Sequence, residues 1–326
     1  MKTNRSTLYL FGIALLIGGA FLYRYWGNTG DDSTKLVSTT TIRVGYIPIT
    51  DCAQMYVALE KGYFAENKLE DQLEKMAGGP KVLEALAGKN LDVGFSNVVS
   101  VFLAREKGLD FSLTYGGSVE DSLHAFSSIL VGSSSAFSTL ADLRGKAIAV
   151  NTRKNIVELA LGERLQSNGL SLSDVNLVEM PFPNMESVLE SGDVQAIAVV
   201  EPFVSFALSH GKARRISSLF TAHGDPPRPI AGYCSSLGWL SAHADEALRF
   251  QKAMDQASDF IESDRAETLR IVAKYTGLTE EQVSLITLPR LAKAFDAAAL
   301  QRLGSELTQV GWTHSAGKAS GMVWRP

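Results

Sequence analysis

Apolar and polar positions alternate first at residues 41–46. Ile42, Val44 and Tyr46 face one way and Arg43 and Gly45 the other, which predicts a strand. Pro48 ends any ladder there, and Thr50 or Asp51 offers an oxygen to cap a helix. That helix carries Met55, Leu59 and Phe64 on one face and closes at Gly62. The unit then repeats. Leu69–Met76 predicts a second strand, followed by Gly78-Gly79-Pro80 and a helix with Leu83, Leu86 and Ala87 on its apolar side. Leu91–Phe95 predicts a third, running into Ser96-Asn97 and a helix bearing Val101, Phe102 and Ala104, and Leu109–Tyr115 predicts a fourth. Strands alternating with helices at this spacing predict a mostly parallel sheet covered on both faces.

From Ser127 the pattern restarts. Strands are expected at Ile129–Val131, Ala147–Val150, Val175–Met180, Ala196–Val200 and Arg215–Ser218. Helices are expected around Val157–Leu165 and at Met185–Ser191 and Phe203–Ser209, with a brief one at Leu140–Leu143. The run His223-Gly224-Asp225-Pro226-Pro227-Arg228-Pro229 is a strong breaker. Beyond it lie an expected strand at Tyr233–Leu240 and helices near Ala244–Glu262, Ala266–Tyr275, Glu280–Ile286 and Ala292–Val310. This late helical block predicts that the chain returns to cover its first sheet.

Composition narrows the class. A chain of 326 residues with 45% hydrophobic content can bury two cores. A net charge of −4 leaves no basic footprint for nucleic acid. The two cysteines, Cys52 and Cys234, and the five scattered histidines show no metal-ligand spacing, so no metal and no cofactor is expected.

The N-terminus changes the picture more. Lys2 and Arg5 precede an apolar run from Leu8 to Tyr23, closed by Arg24, Tyr25 and Trp26. That is near the ~17–20 residues a spanning helix needs, and the basic flank would send the rest of the chain outward. Residues 1–26 therefore read as a signal anchor, with Tyr23, Tyr25 and Trp26 as an aromatic belt. A cleaved signal peptide using Gly18 and Ala20 is the alternative. Residues 27–41, rich in Gly, Asp, Ser and Thr, read as a linker.

Several stretches carry a resemblance in a fixed order. They are Gly45-Tyr46-Ile47-Pro48, Ala58-Leu59-Glu60-Lys61-Gly62-Tyr63-Phe64 and Leu86-Ala87-Gly88-Lys89-Asn90-Leu91-Asp92-Val93-Gly94. They continue with Ala104-Arg105-Glu106-Lys107-Gly108, Leu140-Ala141-Asp142-Leu143-Arg144-Gly145-Lys146, Ser191-Gly192-Asp193-Val194-Gln195-Ala196 and Glu201-Pro202. In these the chain resembles the periplasmic substrate-binding proteins of ABC importers for nitrate, alkanesulfonates, taurine and thiamine-precursor pyrimidines. The resemblance implies a two-lobed α/β periplasmic binding protein (type 2), each lobe a mostly parallel sheet flanked by helices. Lobe one would comprise 42–128 and 230–326, and lobe two 129–229. It implies a monomer that closes on a small solute and serves permease and ATPase subunits from the periplasm; the N-terminal anchor read above, which would hold the chain at the inner membrane, departs from the family's pattern.

Ligands in open α/β sheets bind beyond the carboxyl ends of the strands, where helix N-termini present free N–H groups. Lobe one would then supply Thr50, Asp51 and Gln54, Gly78 and Gly79, and Ser96 and Asn97. Lobe two would supply Asn151, Thr152, Arg153 and Asn155, with Glu201 beyond them. Ser, Thr, Asp and Asn are equally the residues that cap helices, and Glu201 has a structural alternative as a partner of the crossover. Arg153 and the helix N-termini favour an anionic group, and Asp51 and Glu201 favour a solute with its own N–H or O–H groups. A small polar organic molecule, sulfonate-, carboxylate- or pyrimidine-like, fits both. No G-x-S-x-G, G-x-G-x-x-G or Walker sequence is present, which argues against an enzyme. Two alternatives share the fold: an anchored sensor feeding a receptor, and enzymes that make the thiamine pyrimidine. The latter need grouped cysteines and histidines, and Cys52 stands alone.

Overall fold

Thirteen short strands are described, and their pairing explains where the chain can hold a ligand. The structure is a computed structural model that describes residues 38–314, 319 and 321–326. The expected anchor or leader at 1–26 lies outside the described residues, as does the expected linker up to residue 37. The linker's end is shorter than expected, because the first strand already begins at Thr40. Among the described residues no helix is long and apolar enough to cross a membrane. Residues 39–326 form one compact unit.

The first sheet has the order β2-β1-β3-β12-β4. Its strands are β1 (Thr40–Tyr46), β2 (Leu69–Lys75), β3 (Val93–Asn97), β4 (Phe111–Tyr115) and β12 (Ala231–Ser236). The second has the order β10-β6-β9-β7-β8. It is built from β6 (Ser127–Gly132), β7 (Ala147–Val150), β8 (Asn176–Glu179), β9 (Ala196–Val200) and β10 (Ala213–Ser218). A third, small sheet, β11-β5-β13, joins β5 (Ser118–Glu120), β11 (Arg228–Pro229) and β13 (Arg290–Leu291).

Each large sheet is mostly parallel, as expected, but mixed: four strands run one way and one, β12 or β6, runs against them. β1 runs parallel to β2 and β3, but β12 is antiparallel to β3 and β4. β7 runs parallel to β8 and β9, but β6 is antiparallel to β9 and β10. The physical reason is the path of the chain. β6 and β12 are the strands that follow the two crossings through β5 and β11. Each enters its sheet from the end where the neighbouring parallel strands finish, so it must run the other way.

The helices are α1 (Ala53–Glu60), α2 (Tyr63–Glu66), α3 (Gly79–Ala87), α4 (Val98–Glu106), α5 (Ile156–Gln166), α6 (Met185–Ser191) and α7 (Phe203–Ser209). They continue with α8 (Leu237–Ala242), α9 (Ala244–Ser263), α10 (Arg265–Thr276), α11 (Glu280–Val283) and α12 (Ala297–Gln309). In α9, Ala247, Phe250, Ala253, Met254 and Ala257 recur at helical spacing and are buried. Phe250 stacks on Phe64 at 5.6 Å, so the late helices do cover the first sheet's helices. Several expected boundaries shift, two of them most. Residues 237–242 are helical because Ser236 caps them by accepting from the Trp239 N–H. Residues 290–291 are a strand, and the last helix waits for the Asp296 cap. Cys52 and Cys234 are buried free thiols, and β3 lies between β1 and β12.

Candidate functional site

The carboxyl ends of β1, β2 and β3 meet those of β7 and β9 along a seam. Gly78, just after β2, lets the two sides touch, while Gly79 beside it packs on its own side. A Cβ on Gly78 would stand 2.7 Å from Thr152 Cγ2 and 3.2 Å from Asn151 Nδ2, both on the other side. A Cβ on Gly79 would stand 2.4 Å from Asn97 Nδ2 and 2.6 Å from Ser96 Oγ. Several hydrogen-bonding links cross the seam, among them the Thr287 N–H donating to Glu201 Oε1 at 3.4 Å. The Ile156 N–H donates to Asn97 Oδ1 at 3.2 Å, and the Thr50 hydroxyl donates to the Glu201 carbonyl at 3.2 Å, joined there by the Thr50 N–H at 3.3 Å.

Gly79, Ser96, Asn97, Asn151, Thr152 and Asn155 are thus brought together, and their hydrogen bonds are largely spent on each other. Asn97 caps α4, accepting from the Ser100 N–H at 2.9 Å and donating to Ser100 Oγ. Asn155 caps α5 through the Glu158 N–H at 3.1 Å. It also donates to Asn151 Oδ1 at 2.9 Å and Thr152 Oγ1 at 2.7 Å. The Ser96 hydroxyl reaches only the Asn97 carbonyl, at 3.4 Å. Both helix N-termini are therefore occupied by their own side chains.

Arg153 does not bring a free charge to the seam. Its guanidinium donates to both Glu158 oxygens at 3.0 and 3.3 Å, because the turn from Asn151 to Asn155 folds it onto the start of α5. The expectation that Arg153 favours an anion therefore has no support from its contacts. Glu201 takes its structural alternative. It accepts from the Ser205 N–H at 3.0 Å and the Ser205 hydroxyl at 2.8 Å, and so anchors α7. Neither Thr50 nor Asp51 caps a helix through its side chain, since the single turn over Thr50–Cys52 leads straight into α1.

Beside the seam lies a buried polar group with unmet capacity. Gln54 donates to Ser258 Oγ at 2.9 Å, but its Oε1 has no partner among the described residues; the same is true of Asp51 Oδ2 and Tyr233 OH. Each such atom costs about 1–3 kcal/mol unless something meets it. Burial pushes the Asp51 carboxyl up to about 7, against the Ser118 hydroxyl nearby and with help from Glu120. Burial likewise holds Glu120 at about 7 although it accepts from the Thr221 N–H and hydroxyl and the Phe126 N–H.

Both folded values exceed the ordinary 3.8 and 4.5, so the folded state binds these protons more tightly than the unfolded chain. Their stabilisation is complete below about pH 4 and is lost as pH rises through 7. Urea midpoints should therefore fall between pH 5 and 8. Asp51→Asn should flatten that slope and gain on the order of 1–3 kcal/mol at pH 8. An unchanged slope in the variant would show that Asp51 is not the proton carrier.

Sequence reasoning did not identify a cavity of about 530 Å³ lined from both sheets. Pro48, Lys75 and Tyr275 come from one side, and Phe182, Phe203 and Phe206 from the other. The spacing of Phe203 and Phe206 along α7, with His210 at its C-cap, was the available signal, and it reads equally as an ordinary core face. Among the described residues no group of three or more His, Cys, Asp or Glu could hold a metal.

Comparison with known proteins agrees with this architecture. The chain is 30% identical over 226 residues to a putative aliphatic sulfonates-binding protein of Escherichia coli (strain K12), covering 69% of this chain and 67% of that one. It is 25% identical over 285 residues to the nitrate import ATP-binding protein NrtC of Synechocystis, covering 78% of this chain but only 41% of that longer protein. Among solved structures, the alkanesulfonate-binding protein SsuA of Xanthomonas axonopodis pv. citri bound to MOPS superposes with a TM-score of 0.75. The identity is 24%, covering 89% of this chain and all of that one. The periplasmic nitrate-binding protein NrtA of Synechocystis shares the fold at 13% identity, over 87% of this chain and 84% of that one, with a TM-score of 0.70. The sequence signature described as NMT1/THI5 like matches residues 49–268, and the chain belongs to that family.

Proposed function

We infer that the protein is the solute-binding component of an ABC importer. It captures a small organic solute in the periplasm and presents it to permease and ATPase subunits, with the apolar N-terminal run exporting the chain or holding it at the membrane. The expected boundary at 128/129 moves to 126/127 because β6 begins at Ser127, so residues 42–126 with 230–326 form one lobe, 127–229 form the other, and the crossings through β5 and β11 form the hinge. The seam carries this reading. Two sets of strand ends face each other across Gly78 and a few hydrogen-bonding links, which a hinge motion can part and re-form. The importer role is supported by the sulfonate- and nitrate-binding names of the relatives.

A receptor releases its solute unchanged, and nothing in the seam calls for more. Cys52 is fully buried and its thiol is pushed well up by burial and by Asp51, which is the opposite of an activated nucleophile. The test is a thermal-shift and scattering screen of the full chain against sulfonates, nitrate, carboxylates and aminopyrimidines. A solute at 100 times its Kd should stabilise by ~2.7 kcal/mol and compact the particle. Stabilisation without compaction, or recovery of a chemically altered solute, overturns the reading.

A further inference from the structure

The cavity of about 530 Å³ has a chemistry of its own. One wall is a ladder of rings. Phe182 lies nearly parallel to Phe203 at 5.7 Å and 20°, Phe203 meets Phe206 at 6.1 Å, and Phe206 lies nearly parallel to His210 at 6.0 Å and 26°. Phe203 and Phe206 are only half-buried. The opposite wall carries Tyr275, held rigid from behind. It stacks on Tyr56 at 4.7 Å and 4°, and its hydroxyl donates to Glu60 at 2.7 Å. Aromatic rings contributed to one cavity from both sides of the seam suit a flat π-system, which gains by contact with them.

The charges around the cavity are mostly spent. The Lys274 ammonium pairs with Glu60 at 2.7 Å, and Glu186 pairs with His210 at 2.8 Å. Lys75, exposed at the carboxyl end of β2, has no partner among the described residues and is the one uncommitted cation of the lining. The volume is several times the ~150 Å³ that admits a benzene ring, which leaves room for two fused or linked rings. The lining also spans the seam, with Lys75 and Tyr275 on one side and the phenylalanines on the other, so a molecule seated there would touch both lobes.

We propose that this cavity is the solute's subsite, and that the solute class is an aromatic organic anion of about two rings. Its rings lie between Tyr275 and the Phe182–Phe203–Phe206 ladder, and its sulfonate or carboxylate lies against Lys75. The proposal rests on the solute-receptor reading and narrows it. It also places recognition of the anion at a lysine on the cavity rim, whereas the helix N-termini at the seam are filled by Asn97 and Asn155.

Calorimetric titration of the full chain with 2-naphthalenesulfonate, ethanesulfonate and 2-naphthylmethanol tests it. The naphthalenesulfonate should bind at least about tenfold more tightly than either of the others. Phe206→Ala should erode its affinity about tenfold while leaving any ethanesulfonate binding unchanged. Lys75→Gln, at an exposed position where folding is not at issue, should weaken the naphthalenesulfonate about tenfold and leave the neutral alcohol unaffected. Equal affinity for the two sulfonates, or indifference to both substitutions, overturns the aromatic subsite while the receptor reading stands. Failure of the naphthalenesulfonate to bind overturns it too. The receptor reading falls as well only if nitrate, short sulfonates, carboxylates and aminopyrimidines all fail.

Discussion

Gly78→Val is expected to weaken solute binding by about 100-fold or more while the chain stays folded. The backbone at Gly78 is extended, with φ 176° and ψ 170°, so a branched residue meets no torsional penalty there. What it meets is Thr152 Cγ2 at 2.7 Å, Thr152 Oγ1 at 3.1 Å and Asn151 Nδ2 at 3.2 Å, all beyond the seam. Parting the two sides at the seam relieves this clash. If the closed form then falls to about 1% of the population, apparent affinity falls about 100-fold. Gly79→Val makes the contrast, because its Cβ collides with Asn97 and Ser96 within the first lobe and should lower stability instead. Scattering should show Gly78→Val expanded with and without solute, at a melting temperature close to the parent's. Parental affinity in this variant would mean that the two sides do not meet in the bound state.

The second large effect is on stability. Arg228 sits on the return crossing, partly buried between α5 and α12. Its guanidinium forks onto Glu163 of α5 at 2.5 and 2.9 Å and reaches Glu306 of α12 at 2.7 Å. Burial pulls the guanidinium's pKa down, but Glu163 and Glu306 outweigh it and hold the value up. Glu306 is itself nudged up by burial and by Glu163 although Arg228 pulls it down, since one cation serves two carboxylates. Arg228→Met leaves those carboxylates facing each other and should cost about 2–4 kcal/mol. The lower part of that range applies because Glu306 is partly exposed. Adding Glu163→Gln and Glu306→Gln should recover most of the loss in urea melts. A triple variant no better than the single one would assign the cost to packing.

Much of this arrangement was legible in the sequence. Most strands declare themselves through Ile-Val-Leu runs ended by Gly, Pro or Asn, and the residues after β3 and β7 do gather at the seam. Strand direction was not legible, because β6 and β12 look like their neighbours and differ only in which way the chain arrives. The hydrogen-bond ledger of the site was also hidden. Asn97 and Asn155 occupy ligand positions by sequence, yet their amides are consumed as caps and in the seam itself. Arg153 reads as a free cation until Glu158, five residues on, is found to hold it. The cavity escaped because periodicity cannot tell whether an apolar helix face meets another helix or an open space. Phe203 and Phe206 of α7 face the space.

The small third sheet has a mechanical consequence. Both crossings belong to one ribbon, with Arg228 opposite Glu120 and Pro229 opposite Val119, and Arg290 pairs Val119 from the far side. Strands tied edge to edge resist sliding past one another, because each hydrogen bond would have to break, but they bend readily across their flat face. In the proposed hinge this ribbon is expected to act as a leaf spring with one soft direction, which would leave the proposed lobes essentially one degree of freedom. A single opening angle should describe every state between empty and loaded, and distance distributions from several spin-label pairs should all reduce to that one coordinate.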